Sequence, residues 1–385
     1  MQKGIKAAFT NVVLLTFSLG FLLALGEGAA RVFLKPSNLP MLQPQESNGE
    51  VLRYAPGQTG TYRIRNEIAA SFKINTNGWN SRWADYTKEK ESGQTRICIV
   101  GDSYVEAFQV NFHKSLAERL EDYLAPGNVQ VYRFGLSGAA LSHYLYMLRE
   151  EVLQYSPDLV VINMVHNDFI ESFKAVAPGV YDASLAKVKF ENNGSISGLT
   201  IPQAYKRGWS SKIKSLALFR YFWVRQQVRV LSLRDRWVAF VDGVSVDDEF
   251  ASNIRVGNGQ GDRIHQIIDY LFSELERFQT DNGIPVLLVM DAHRGFVQRS
   301  PADPNAGDSL APLNAKVAMS AVLHNLELID LTEHMRKDYV KNQIPFSFRN
   351  DGHWNGYSHS LVANVVGERI QQQILSSLEG ISNQR

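Results

Sequence analysis

In the middle of the chain, short apolar runs alternate with longer stretches of helical periodicity. The apolar runs occupy residues 96–103, 129–135 and 158–165. The periodic stretches occupy residues 113–125 and 140–155. Short, continuously apolar runs are typical of strands buried on both faces, and apolar positions repeating every three or four residues indicate helices. This β-α-β-α-β order predicts parallel strands joined by right-handed crossovers.

The same alternation resumes in the last third of the chain. Helical periodicity covers residues 262–283, 309–325 and 356–378, and strand-like runs cover residues 284–290 and 326–331. Five strands with intervening helices predict an α/β fold. The expected architecture is a three-layer α/β/α sandwich around a flavodoxin-like, parallel five-stranded sheet.

Two segments fall outside this alternation. Residues 32–90 contain prolines and glycines but no long periodic segment, so we interpret them as a juxtamembrane connector with short strands. Residues 170–260 hold a possible hairpin and a basic helical run, which we interpret as an insertion covering the ligand end of the sheet. The predicted organisation is a cytoplasmic tip with a transmembrane anchor at 1–31, the connector at 32–90 and one domain at 91–385.

The N-terminus carries a pattern typical of a membrane span. Lys3 and Lys6 precede 19 residues without a charge, at 7–25, and these span about 28 Å as a helix. The lysines favour a cytoplasmic N-terminus, which places the rest of the chain outside the cytoplasm. A cleaved signal peptide is the second interpretation, because Ala24 and Gly26 supply small residues at a cleavage site. A buried soluble helix is the third.

Composition narrows the classes of function. Hydrophobic residues make up 44% of the 385 positions, which excludes a disordered chain. The 40 basic and 39 acidic residues leave a net charge of +1, so a nucleic-acid partner is not expected. The single cysteine, Cys98, excludes an intramolecular disulfide and a cysteine zinc cluster. No zinc-protease motif is present, the glycine cluster at 257–261 lacks the dinucleotide-binding spacing, and we predict no metal and no cofactor.

Polar residues of catalytic type follow the predicted strands, where function collects in such sheets. They form the blocks Gly101-Asp102-Ser103, Gly135-Leu136-Ser137-Gly138, His166-Asn167-Asp168 and Asp351-Gly352-His353-Trp354. A nucleophilic serine needs a base, and the base needs an acidic partner that fixes its tautomer.

Ser103, His353 and Asp351 supply these three parts as a candidate catalytic set. The amides of Ser103 and Gly138, together with the Asn167 side chain, supply candidate donors for an oxyanion.

In these blocks the chain resembles the SGNH (GDSL-type) hydrolases, whose characteristic Ser, Gly, Asn and His occur here in the same order. The matching positions are Ser103, Gly138, Asn167 and His353. The resemblance covers about residues 96–375 and implies ester hydrolysis through an acyl-serine. The apolar N-terminal segment and the sequence NGWNSR are similar to those of bacterial envelope members. This likeness implies a single-pass protein of the inner membrane whose periplasmic domain acts on an acylated envelope glycan or a small ester.

The chain departs from the family pattern at two positions. Asn350 stands where the family commonly has the aspartate three residues before the histidine, and Asp351 lies two residues before it. This spacing is similar to an Asp-x-His-Trp arrangement in SGNH-like O-acetyltransferases of exopolysaccharide assembly. His166 replaces the usual glycine before Asn167. A polysaccharide O-acyltransferase and a non-catalytic envelope scaffold therefore remain alternatives.

Neighbouring residues are further candidates for binding substrate: Asp102, His166, Asp168, His293 and Trp354. Trp354 is expected to offer a flat face on which a sugar ring stacks. His359 or His293 could replace His353 as the base. Each block also has a purely structural interpretation as a turn or cap. The sequence names no protein partner.

Overall fold

A computed structural model describes residues 2–174, 181–227, 261–299 and 307–382 of the chain. Its strands are β1 (Thr59–Ile64), β2 (Ile68–Lys73), β3 (Thr95–Gly101), β4 (Val129–Gly135), β5 (Leu159–Met164), β6 (Val188–Phe190), β7 (Ile196–Leu199), β8 (Val286–Met290) and β9 (Glu327–Asp330). Its helices are α1 (Gln2–Phe33), α2 (Ser103–Glu106), α3 (Leu116–Leu124), α4 (Leu141–Glu150), α5 (Asp168–Glu171), α6 (Trp209–Ser215), α7 (Ala217–Phe219), α8 (Gly261–Asn282), α9 (Arg294–Val297), α10 (Ala311–Leu323), α11 (Leu331–Asn342) and α12 (Gly356–Ser382).

The central sheet has five strands in the order β4-β3-β5-β8-β9, and every neighbouring pair is parallel. This is the predicted flavodoxin-like order, and the fold prediction is confirmed. Successive residues of a strand face opposite sides of the sheet. Cys98 and Val100 therefore pack with α4, α8 and α10, whereas Ile97 and Ile99 pack with α3, α11 and α12. Helices thus cover both faces, which explains the continuously apolar strands.

One predicted helix is shorter than its pattern suggested. The periodic stretch at 140–155 forms α4 only as far as Glu150, and a separate 3₁₀ turn follows at Val152–Tyr155. The chain then turns at Ser156, whose φ of +50° lies in the left-handed region. The periodicity continues across the break because both pieces bury apolar side chains on the same core.

The connector packs against the sheet domain. Its strands β1 and β2 form an antiparallel hairpin, in agreement with the predicted short strands. Leu52, Trp79 and Tyr86 are buried in the same core as β3 and β4, and the Trp79 ring centroid lies 5.3 Å from that of Phe134. The connector is therefore part of the domain's packing. The proposed boundary near residue 90 stays a prediction.

The insertion is described in part. The predicted hairpin is present as β6 and β7, and the basic run begins with α6, α7 and a π-helical turn at Arg220–Arg225. Residues 175–180 and 228–260 of the insertion, with most of the glycine cluster at 257–261, lie outside the described residues.

Helix α1 is long and apolar enough to cross a membrane. Residues Phe9–Phe33 have a mean hydropathy of 1.9, and none of their most apolar 18-residue window is buried. Phe9 and Phe17, for example, are 71% and 74% exposed. An N-terminal signal sequence has the same properties.

Candidate active site

The loops after β3 and β4 leave the sheet side by side, because Gly101 lies opposite Gly135 in the parallel register. The absence of a side chain at Gly135 lets α2 pass close above the strand. A Cβ there would lie 2.1 Å from the Glu106 amide nitrogen. Helix α2 begins at Ser103 and is capped by Asp102, whose carboxylate accepts a hydrogen bond of 2.9 Å from the Tyr104 amide. Ser103 therefore sits at a tightly fixed strand-to-helix turn.

The structure brings Ser103, His353 and Asp351 together. A hydrogen bond of 2.8 Å joins Ser103 Oγ to His353 Nε2, and one of 2.5 Å joins His353 Nδ1 to Asp351 Oδ1. The same Asp351 oxygen accepts a bond of 2.9 Å from the His353 amide. When Nδ1 carries the proton and donates it to Asp351, Nε2 is left as an acceptor for the Ser103 hydroxyl. This is the arrangement that serine activation requires.

The local charges match this assignment. Burial by itself lowers the pKa of His353, but the adjacent Asp351 carboxylate outweighs it and holds that pKa above its ordinary value of 6.5. Burial opposes ionisation of Asp351, and the charge and hydrogen bonds of His353 nevertheless hold the Asp351 pKa below its usual value. The pair therefore favours the imidazolium that forms when the serine loses its proton.

The three predicted oxyanion donors lie at neighbouring strand ends. Gly138 has a φ of +74°, a backbone conformation that favours glycine, and it is exposed. Within the described part of the chain, the amides of Ser103 and Gly138 have no hydrogen-bond acceptor. Asn167 is half-buried, and its side chain forms a hydrogen bond with the Glu171 carboxylate. Burial raises the pKa of Glu171, and the bond from Asn167 only partly offsets this effect. Two unpaired amides and one amide side chain are the donor types that an oxyanion needs.

A buried ionic network supports the loop that carries His353. Arg294 donates to Asp291 and to the Tyr104 hydroxyl. Asp291 also accepts a bond of 3.0 Å from the Trp354 indole. The Tyr104 hydroxyl in turn donates to the Gly352 carbonyl at 3.2 Å. The network thus links the loops after β3 and β8 to the residues on both sides of His353.

Asp291 and Arg294 were not predicted as parts of the site. Only His293 between them was, because it follows a strand at the ligand end of the sheet. The available signal was an acidic and a basic residue directly after the apolar β8 strand, at the same end of the sheet as the other blocks.

The β1–β2 hairpin of the connector holds the other side of this loop. The Glu67 carboxylate accepts bonds from the Arg349 amide at 2.5 Å, the Asn350 amide at 2.8 Å and the Asn350 side chain at 2.7 Å. Arg65 donates to the Asn350 side-chain oxygen at 2.6 Å. Asn350 is thereby engaged by the hairpin, and the carboxylate that meets His353 belongs to Asp351. Asn350, which stands where GDSL-type hydrolases commonly have the aspartate, therefore binds the hairpin, and Asp351 takes the position beside His353.

Two predicted substrate contacts are wrong. Trp354 is completely buried, with its ring edge-on to Tyr104 at 5.1 Å, so it offers no face for a sugar. Its indole is needed in the core because the N–H satisfies Asp291. Asp168 is also completely buried, and its two oxygens accept from the Tyr144 hydroxyl at 2.9 Å and the Val165 amide at 2.8 Å. It closes the turn after β5.

The three remaining candidates for substrate contact are nearly buried, with exposures of 3–4%. Asp102 lies 3.4 Å from Ser103 Oγ, and burial raises its pKa to about 7. His166 bonds to Asn314 at 3.1 Å, and His293 bonds to Asp308 at 2.7 Å. Their roles in substrate binding stay predictions.

Neither alternative base is paired with the serine. His293 Nδ1 is engaged with Asp308. His359 accepts a bond of 3.1 Å from the Leu116 amide, and burial lowers its pKa to about 3, so it is a neutral structural acceptor.

A cavity of about 430 Å³ lies between the connector and the insertion, beside the oxyanion loop, residues 136–138, which carries the predicted oxyanion donor Gly138. Its aromatic lining comes from Tyr54, Tyr62, Phe108, Tyr181 and Tyr205. Tyr181 donates a bond of 2.8 Å to the Ser137 carbonyl, which ties the described part of the insertion to the loop before Gly138.

A buried carboxylate closes the inner end of this cavity. Glu106 accepts hydrogen bonds from the Tyr54 hydroxyl and from the Ser137 hydroxyl and amide. Burial nevertheless raises the pKa of Glu106 above its usual value. Across the described residues, no cluster of three or more His, Cys, Asp or Glu side chains could hold a metal ion.

Comparison with known structures yields likenesses with TM-scores below 0.5. A two-domain esterase active on acetylated mannans, co-crystallised with mannopentaose, gives a TM-score of 0.39 at 12% identity, covering 73% of this chain and 50% of that chain. The acetyl xylan esterase AlAXEase gives 0.39 at 13% identity, with 71% and 99% covered. The lipase/acylhydrolase from Enterococcus faecalis gives 0.35 at 16% identity, with 73% and 97% covered.

The chain thus aligns with half the length of the mannan esterase, and likenesses this weak carry no argument about substrate. No curated protein sequence matches the chain. The comparison with families is more specific. Residues 97–214 match the family model described as GDSL-like lipase/acylhydrolase, and this segment holds Ser103, Gly138 and Asn167. In residues 97–214 the chain is therefore similar to the GDSL-like lipase/acylhydrolase family, which agrees with the predicted resemblance and supports the predicted enzyme class, a serine esterase.

Proposed function

We propose that the protein hydrolyses esters of acylated carbohydrates or small alcohols, with Ser103 as nucleophile, His353 as base and Asp351 as the acid that orients it. The observation that carries this proposal is the position of His353, hydrogen-bonded to Ser103 Oγ at 2.8 Å and to Asp351 at 2.5 Å. No other histidine in the described residues has a serine hydroxyl and a carboxylate as its two ring partners.

The reaction follows from this geometry. His353 Nε2 takes the Ser103 proton as Oγ attacks the ester carbonyl, and the Asp351 carboxylate stabilises the imidazolium. The amides of Ser103 and Gly138 and the Asn167 side chain donate to the oxyanion. His353 then protonates the leaving alcohol, which leaves an acyl-serine. Water, activated by the same imidazole, releases the acid and restores Ser103.

Hydrolysis is favoured over acyl transfer because Ser103 is half-exposed, and water can therefore reach the acyl-enzyme. A polysaccharide O-acyltransferase would have to exclude water and position a sugar hydroxyl instead. Burial of Trp354 removes the sequence argument for a stacked sugar at His353. An acylated envelope glycan stays a prediction for the substrate, and a non-catalytic scaffold would leave the Ser103–His353–Asp351 set without a role.

Steady-state hydrolysis of p-nitrophenyl acetate tests the proposal. We expect Ser103→Ala and His353→Ala each to lower kcat by about 10⁴-fold, because either change removes the activated nucleophile. His359→Ala, at a buried histidine near the site, is the matched control and should keep kcat within a few-fold wherever it remains folded. Equal losses in His353→Ala and His359→Ala would overturn the assignment of the base. Added oligosaccharide that becomes acylated while acetate release falls would favour the transferase.

We further propose that α1 anchors the protein in the bacterial inner membrane, with the domain in the periplasm. Its side chains are exposed along the apolar stretch, and Lys3 and Lys6 lie at its N-terminal end. Ala24 and Gly26, the small residues of the alternative cleavage site, lie inside the continuous helix. A periplasm-specific reporter fused after Arg385 should be active, and the chain should stay in the membrane after a salt wash. Release of a chain that begins near Glu27 would instead establish a cleaved signal peptide.

A further inference from the structure

The cavity beside the oxyanion loop has a charge that the proposed hydrolysis does not use. Three cations line it, Arg207, Lys214 and Arg220, and they come from the insertion. Among the described residues, no carboxylate lies within ion-pair distance of any of the three. The Arg220 Nε–H is buried and has no hydrogen-bond acceptor in the part of the chain that the structure describes. Burial and the nearby Arg31 lower the Arg220 pKa and outweigh the Glu27 carboxylate, which raises it.

Unpaired cations in a partly closed cavity favour an anionic ligand. Most of the remaining lining is aromatic and aliphatic, including Leu39, Leu42 and Phe108, and the Glu106 carboxyl, whose pKa burial raises, lies at the inner end. A ligand that fits both parts carries an anionic group and an apolar portion.

The segment that supplies Lys214 and Arg220 has a second, outward-facing side. Trp209, Ile213, Phe222 and Trp223 lie in this segment and are between 48% and 80% exposed. Exposed tryptophans with apolar neighbours and basic residues are typical of surfaces that lie in the membrane interface.

This outward side is joined to the helix that we place in the membrane. The Glu27 carboxylate of α1 accepts bonds from the Ala217 amide at 2.8 Å and the Leu218 amide at 3.0 Å. Arg225 donates to the carbonyls of Leu34 and Lys35, directly after α1, at 2.6 and 2.9 Å. The exposed apolar residues are therefore continuous with the C-terminal end of α1.

We propose that this cavity binds a net-anionic amphiphile with a terminal phosphate from the membrane, with its phosphate held by Arg207, Lys214 and Arg220 and its apolar part against the aromatic lining. The α6–α7 segment lies on the membrane surface and separates the bilayer from the cavity. At its inner end the cavity reaches Ser137, beside Gly138, so the bound molecule lies next to the oxyanion loop. The proposal does not require Ser103 to be active.

The test uses the full-length chain with Ser103→Ala in dodecyl maltoside, so that hydrolysis cannot consume the lipid. Calorimetric titration compares didecanoyl phosphatidic acid, didecanoyl phosphatidylcholine and inorganic phosphate. We expect saturable binding of phosphatidic acid at least about tenfold tighter than that of either other ligand. Lys214→Gln and Arg220→Gln should each weaken it about tenfold, the scale of one charge-assisted hydrogen bond.

Lys212→Gln is the matched control, because Lys212 lies two residues from Lys214 but is outside the cavity, with its ammonium over the Trp209 ring at 4.5 Å. Its affinity should stay within twofold of the parent. Equal weakening in Lys212→Gln and Lys214→Gln would show a diffuse surface charge and overturn the site. Equally tight inorganic phosphate would establish a free-anion site instead of a lipid site. Equally tight phosphatidylcholine, or no saturable binding, would also refute the proposal.

Failure of this titration and failure of the proposed hydrolysis are distinguishable. The binding measurement is made without Ser103, and p-nitrophenyl acetate turnover is measured without lipid. Lys214 makes no internal hydrogen bond or ion pair among the described residues, so Lys214→Gln keeps the test available even where Arg220→Gln does not fold.

Discussion

Replacing Glu67 by alanine removes the contact through which the connector holds the catalytic loop. The carboxylate accepts three hydrogen bonds from Arg349 and Asn350, directly before Asp351. Hydrogen bonds to a charged group contribute about 1.5–3 kcal/mol each when shielded, but Glu67 is exposed, which reduces the three together to about 2 kcal/mol. These bonds hold the loop in the conformation in which Asp351 is hydrogen-bonded to His353. Their loss lowers the fraction of molecules in that conformation.

We therefore expect Glu67→Ala to lower kcat for p-nitrophenyl acetate about ten- to thirtyfold, since 1.4 kcal/mol corresponds to about a factor of ten. KM should change little, because Glu67 does not line the cavity. Displacing Asp351 would also weaken the interaction that raises the His353 pKa, so the acid limb of the pH–rate profile should move to lower pH.

The matched control is Glu91→Ala, an exposed glutamate just before β3, at the opposite end of the sheet. It should leave kcat and the pH profile unchanged. Glu67→Gln keeps one acceptor oxygen and should fall between alanine and the parent. A Glu67→Ala protein with parental kcat, or a fall in kcat with no shift of the acid limb, would refute the role of the hairpin in placing Asp351.

Three further predictions follow from the site. A protonated His353 cannot accept the serine proton and its pKa is raised, so kcat/KM should fall as pH drops through a midpoint above 6.5; in Asp351→Asn that midpoint should be lower and kcat about 10⁴-fold smaller. Arg294→Met leaves Asp291 buried without its cation and should destabilise the protein by about 3–5 kcal/mol in chemical denaturation; a loss under 1 kcal/mol would argue against the network. Gly138→Ala has room for its Cβ, which would lie 3.9 Å from the Tyr181 hydroxyl, but the φ of +74° adds about 1–2 kcal/mol of strain, measurable as a lower denaturation midpoint with slower turnover.

The strands of the sheet could be predicted because the physical cause of their pattern is local. Strands covered on both faces are continuously apolar, so β4 was found at residues 129–135, its observed bounds. Catalytic residue types at strand ends also stand out, since Ser103, Asn167 and His353 each follow or flank a regular element. Their convergence then follows from the parallel topology.

The supporting contacts could not be found in this way. Glu67 and Arg349 are 282 positions apart, and both are polar residues in turns, where no periodicity marks a partner. Arg294 and Tyr104 are 190 positions apart. Trp354 was misjudged because an aromatic residue beside a catalytic histidine resembles a sugar platform. The Trp354 indole can be buried because its N–H donates to the Asp291 carboxylate, a partner 63 positions away that the local sequence does not reveal.

The central claim is that Ser103 is the activated nucleophile, and covalent labelling tests it most directly. Purified protein is treated with a fluorophosphonate, and the modified peptide is mapped by mass spectrometry. The account predicts one phosphonyl adduct, on Ser103, which forms far more slowly in His353→Ala and at the parental rate in Ser137→Ala. An adduct on Ser137, or labelling of Ser103 that does not depend on His353, would contradict it.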